Sequence, residues 1–109
     1  MAITLPPPLA GYFAADRTGD TDAVLSNFAE DAVVVDEGRT HTGHDQIRRW
    51  KTEAAARYSY TAEPVAIAQA DGQTIVTAHL TGDFPGSPID LRYRFALHGD
   101  RIVALEIAP

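Results

Sequence analysis

The chain reads as one α+β domain in which three helices pack into the concave face of a strongly curved, mostly antiparallel sheet. Three observations carry this. Apolar residues recur at helical spacing in three segments before residue 59, alternation replaces that period afterwards, and tight turn signals punctuate the second half. At 109 residues the chain is near the commonest domain size and can bury a core without metal or disulfide support. Its 45% hydrophobic and 22% charged residues are those of an ordinary globular protein, which argues against disorder.

The elements follow in order. Leu5-Pro6-Pro7-Pro8-Leu9 opens a first helix, because proline is tolerated in a first turn, and Leu9, Tyr12, Phe13 and Asp16 then recur at helical spacing until Gly19. Asp20-Thr21-Asp22 caps a second helix through Ala29, striped by Val24, Leu25 and Phe28. Ala32 to Asp36 is a strand, and Glu37-Gly38 turns it into a short second one from Arg39 to Thr42. A third helix begins near His44-Asp45, with Asp45 available as its cap, and runs to about Tyr58. Ile47, Trp50, Ala54 and Tyr58 lie on its covered face and Arg48, Arg49, Lys51 and Glu53 on its polar side.

Four strands complete the chain, at about 59–69, 73–84, 89–98 and 101–107, separated by Asp71-Gly72, Pro85-Gly86-Ser87-Pro88 and Gly99-Asp100. Connections this short join antiparallel neighbours, so the second half forms a meander. Leu91, Tyr93, Phe95 and Leu97 share its apolar side and Asp90, Arg92, Arg94 and His98 the other; Val103, Leu105 and Ile107 continue the apolar set. The helices are the cover available to that side.

Composition excludes several classes. With 15 acidic and 9 basic residues the net charge is −6, a poor match to a phosphate backbone, so nucleic acid is not an expected partner. The absence of cysteine rules out disulfides, thiolate metal sites and a thiol nucleophile. Residues 1 to 15 lack the basic start and continuous apolar core of a signal peptide, and no run approaches membrane-spanning length. A cytoplasmic protein with no membrane partner is the expectation.

Three stretches carry a family resemblance: Tyr12-Phe13-Ala14-Ala15 through Gly19-Asp20, Phe28-Ala29-Glu30-Asp31-Ala32-Val33-Val34-Val35-Asp36, and Gly43 leading to Ile47-Arg48. In their order along the chain they resemble the nuclear transport factor 2-like superfamily, which includes SnoaL-type polyketide cyclases and ketosteroid isomerases. The subgroup most similar is one of bacterial SnoaL-like proteins with a Phe84-Pro85-Gly86-Ser87-Pro88 loop. The resemblance implies a cone-shaped α+β barrel enclosing a cavity, no cofactor, and homodimers paired through the outer sheet face. Against the isomerase pattern, Tyr12 falls on the tyrosine that donates to the substrate oxygen and Asp36 on the aspartate that moves the proton. The isomerase's second oxyanion donor, a protonated acid, falls on Leu91, with Asp90 alongside pointing to the opposite face unless a bulge intervenes. This departure bears against true steroid isomerisation.

The residues read by themselves leave alternatives open. Asp36 is delivered by an apolar strand, and a carboxylate held in an apolar pocket is a stronger proton acceptor; equally, turn N–H groups could satisfy a strand-end aspartate. Tyr12 is either a donor to a ligand carbonyl or a core aromatic. His41 and Arg39 either reach the cavity mouth or lie on a solvated edge. Trp50, Tyr58, Tyr93 and Phe95, with Leu91 and Leu105, are candidate cavity walls, though core packing explains such residues equally well. Asp36, Glu37, His41, His44 and Asp45 are the residues from which a metal site would be built, but strand, turn and helix would have to converge, and no metal is expected. The functional expectation is a cavity for a small, apolar, carbonyl-bearing ligand, worked on by Asp36 and Tyr12 as in an isomerase or cyclase. The alternative is a non-catalytic binding or dimerisation module.

Overall fold

A computed structural model describes residues 3–109. The elements run α1 (Pro7–Thr18), α2 (Thr21–Leu25), β1 (Phe28–Asp36), β2 (Arg39–Thr42), α3 (Gly43–Arg57), β3 (Tyr60–Ala70), β4 (Gln73–Gly82), β5 (Ile89–His98) and β6 (Arg101–Ala108). All six strands form one sheet in the order β2-β1-β6-β5-β4-β3. β3 to β6 are the expected antiparallel meander, while β1 joins β6 in parallel. Three helices packed against one curled mixed sheet give the α+β architecture expected from the sequence.

Proline opens α1 and Gly19, at φ 76°, closes it in the left-handed region that glycine tolerates. Asp20 caps α2 by accepting from the Ala23 N–H at 3.1 Å. Its partner end differs from expectation: α2 stops at Leu25, and Phe28 belongs to β1 instead of the helix stripe. Ser26 and Asn27 side chains donate to the Ala23 carbonyl and end the helix, and the Asn27 carbonyl then accepts from Ile102 N–H at 2.8 Å. The pull of the sheet overrides a periodicity that helix and strand share over so few residues.

The start of α3 also moves. Thr42 occupies the cap position, with its N–H donating to Gln46 Oε1 at 2.8 Å, so Asp45 sits inside the first turn. On β6 the buried residues are Ile102, Leu105 and Ile107, and Val103 is only half-buried. Pairing steps from Ala96 with Ala104 to Leu97 with Ile102, so Val103 is the extra residue of a bulge that reverses the alternation.

The core lies between helices and sheet. Leu9, Tyr12 and Phe13 of α1, Val24 of α2 and Ile47 of α3 meet Val34, Val76, Phe95 and Leu105 from four strands. Aromatic rings concentrate at its centre: Tyr12 lies 5.1 Å from Phe13 and 5.9 Å from both Phe28 and Phe95, all edge to face. The C-terminal half of β3 runs beyond this cover, leaving Ile67 exposed although it pairs with the inward Val76.

Candidate functional site

β1 alternates so that Ala32 and Val34 are fully buried, and Asp36, two residues on, shares their side. Its carboxylate there accepts a hydrogen bond from Trp50 Nε1–H at 3.0 Å. The partner of Asp36 is thus an indole from α3. Glu37 and Gly38, at φ 54° and 75°, make the two-residue turn directly beyond it.

Asp36 and Trp50 form part of the wall of a cavity of about 600 Å³. Its floor is Tyr12, Lys51, Tyr60 and Tyr93; Leu80, Ile89 and Leu91 supply apolar wall; Glu37, Gly38, Phe84, Pro85 and Pro109 surround the mouth. Tyr58, just past the end of α3, packs edge to face on Phe84 at 6.3 Å and completes one side. A volume and lining of this kind, apolar with a few polar groups, suit a small organic molecule.

The phenols of the floor are held protonated. Burial pushes the ionisation of Tyr12, Tyr60 and Tyr93 upward, and the nearby charges of Asp16 and Asp36 push the same way. Neither Tyr12 nor Tyr93 has a hydrogen-bond partner for its hydroxyl among the described residues. Since no buried side-chain oxygen or nitrogen there goes unpartnered, both hydroxyls open onto the cavity as donors.

Beneath them lies a feature that sequence reading placed in water. Lys51 is only 7% exposed, and its ammonium pairs with Asp16 at 2.5 Å and donates to Tyr60 Oη at 3.0 Å. The Tyr60 hydroxyl in turn donates to Asp16 Oδ1 at 3.2 Å, closing a triangle. The ammonium also sits 4.6 Å from the Trp50 ring centroid and 5.5 Å from that of Tyr12. Its charge suggests the polar side of α3, yet Lys51 follows Ile47 by four residues and so lies on the covered stripe. Asp16 likewise follows Tyr12 by four. Two opposite charges on two apolar stripes were the signal for a buried pair.

The remaining candidates separate into two groups. Tyr12, Asp36, Trp50, Tyr58, Leu91 and Tyr93 converge on the cavity. Phe95 and Leu105 do not: both are buried in the hydrophobic core, Phe95 among the aromatic rings, and neither lines the cavity. His41 stands outside, stacked at 6.0 Å behind the Trp50 ring, while Arg39 is exposed on the β1–β2 edge. Asp90 faces outward and pairs with His79 across β4 and β5 at 2.7 Å. His44 contacts the Phe28 carbonyl at 3.0 Å, and among the described residues no three histidines or carboxylates cluster as a metal site would require.

Residues 9–104 match the SnoaL-like domain family, and the chain belongs to it. Among solved structures it is similar to a candidate polyketide cyclase, protein SMa1630 of Sinorhizobium meliloti, at 44% identity with 95% of each chain covered and a TM-score of 0.91. A ketosteroid isomerase-like fold from Catenulispora acidiphila, in complex with trimethylamine, is 23% identical over 97% of this chain and 87% of that one, with a TM-score of 0.84. A further candidate polyketide cyclase, from Silicibacter sp. TM1040, is 20% identical over 93% and 85%, with a TM-score of 0.79. A search of curated proteins finds no match. No helix among the described residues is long and apolar enough to cross a membrane.

Proposed function

We propose that the cavity binds a small, largely apolar, carbonyl-bearing molecule and moves a proton on it without a cofactor, as an isomerase or cyclase does. The observation that carries this is the pairing of an indole-anchored carboxylate, Asp36, with the open hydroxyl of Tyr12 on one cavity. Asp36 accepts a proton from the carbon beside the carbonyl, the C–H electrons form the enolate double bond, and the carbonyl oxygen takes the negative charge. The Tyr12 hydroxyl, fixed by its aromatic neighbours, donates to that oxygen as the charge grows. Family membership and the 44% identical relative's designation support the cyclase branch of this reading.

Exchange of the α-protons of 2-decalone in D₂O, followed by NMR, tests it. Wild type should accelerate exchange, and Asp36→Asn should lower that acceleration about 100-fold or more with an unchanged circular dichroism spectrum. Undiminished exchange in the variant contradicts the role of Asp36.

A second reading keeps the cavity and drops turnover. It is favoured by Leu91, an apolar wall at the position where the isomerase pattern has its second acid. Ligands that stabilise wild type and Asp36→Asn equally, without proton exchange, would select a binding module. Under either reading we propose that copies pair through the outer sheet face, which carries Ile75, Thr77, Arg92 and Arg94. Sedimentation should then give twice 11.8 kDa, and a single-chain mass would contradict the pairing.

A further inference from the structure

The cavity floor holds a full positive charge that proton abstraction by Asp36 does not use. Burying an ammonium–carboxylate pair carries a desolvation cost for each ion, and apolar side chains of similar volume usually fill such a place at least as well. Stability alone is therefore a weak reason for Lys51 to be there. Its geometry offers another. An ammonium carries three donors, and among the described residues Lys51 has two polar partners, Asp16 and the Tyr60 hydroxyl. One N–H is left. The Trp50 and Tyr12 rings flank the head group, and both of those residues line the cavity along with Lys51. The Tyr12 and Tyr93 hydroxyls open onto the same floor.

We infer that Lys51 is an anion-binding residue, and that the ligand carries an anionic oxygen (carboxylate, phenolate or enolate) at the end of its apolar body that enters first. Asp16 and Tyr60 are positioning residues: they take two of the ammonium's protons and direct the third into the cavity. Three donors from Lys51, Tyr12 and Tyr93 then converge on one oxygen group, while Leu80, Ile89 and Leu91 cover the carbon skeleton. A smaller hollow of about 230 Å³ reaches Asp16, Lys51 and Tyr60 from the other side, between the end of α1 and α3. Water there can solvate the outer side of the pair.

This rests on the reading of the cavity as a ligand site, and the test separates the two. Calorimetric titration compares 2-naphthoate with methyl 2-naphthoate, probes of one skeleton that differ in charge. Wild type is expected to bind the carboxylate at least 10-fold more tightly than the ester. The double variant Asp16→Asn/Lys51→Met removes both charges together, leaves neither ion unpaired, and should bind the two probes within about 2-fold of each other. Equal affinities in wild type overturn the inference without recourse to any variant and leave the cavity reading standing. Retention of the carboxylate preference in the folded double variant also overturns it. Failure of wild type to bind either probe overturns both readings.

Discussion

Single side chains at the site do two things at once, and substitution separates them. Trp50 is both cavity wall and donor to Asp36, so Trp50→Phe keeps most of the ring but removes a hydrogen bond to a charged acceptor. Urea unfolding should show a loss of about 2 kcal/mol, with the α-proton exchange of 2-decalone reduced because the carboxylate is no longer held. Lys51 gives a sharper contrast. Lys51→Met alone strands the Asp16 carboxylate in the interior, and a loss of about 3–5 kcal/mol is expected, whereas Asp16→Asn/Lys51→Met should recover most of it. Equal stability of the single and double variants would mean that the pair is not coupled in the way its 2.5 Å contact implies. These residues also mark the limit of what the sequence makes legible. Asp36 and Tyr12 were readable from strand alternation and helical spacing, because each continues a pattern its neighbours establish. Lys51 was not, since a charge on a covered stripe is explained only by its partner, and Asp16 lies on a different helix.

At the scale of elements, turns were easier to read than ends. Asp71-Gly72 and Glu37-Gly38 both form two-residue hairpins with positive φ at each position, as their glycines suggested. Glu37 is the less suited of the two leading residues, and a non-glycine side chain in the left-handed region costs about 1 kcal/mol, less for asparagine. Glu37→Asn should accordingly raise stability by about 0.5–1 kcal/mol in thermal or urea unfolding. A decrease would show that the Glu37 side chain makes a compensating contact. Gly82 acts in the opposite sense, since a Cβ there would lie 2.3 Å from the Ser59 carbonyl oxygen. Gly82→Ala has to push β3 and β4 apart just where Tyr60 enters the floor, and a loss of about 1–3 kcal/mol is expected. The end of α2 and the alternation on β6 could not be read from spacing, because Phe28 is placed by pairing with Ile102 far along the chain and Val103 by a bulge in the β5–β6 pairing.

The molecule as a whole is a sheet curled around three helices, with a gap left at one end of the core. Its aromatic floor ties stability to alkaline pH. Tyr12, Tyr60 and Tyr93 have ionisations raised in the folded state, so above pH of about 10 the unfolded chain loses protons that the native one keeps. The stabilisation present below that pH is therefore lost progressively as pH rises through and beyond it. Absorbance of tyrosinate should show these three of the chain's four tyrosines ionising only together with unfolding. The fold class was legible because period, turns and strand order all agreed, and the family resemblance covered nearly the whole chain; the depth and shape of the gap arise from packing between distant segments. Trp50 is the chain's one tryptophan and stands in the wall of that gap beside Asp36, so its emission reports directly on occupancy. Titration with 2-decalone, whose weak carbonyl absorption is corrected for with free tryptophan, should change that emission saturably at one molecule per chain. An emission unchanged to the solubility limit of the ketone would contradict the existence of a ligand site there.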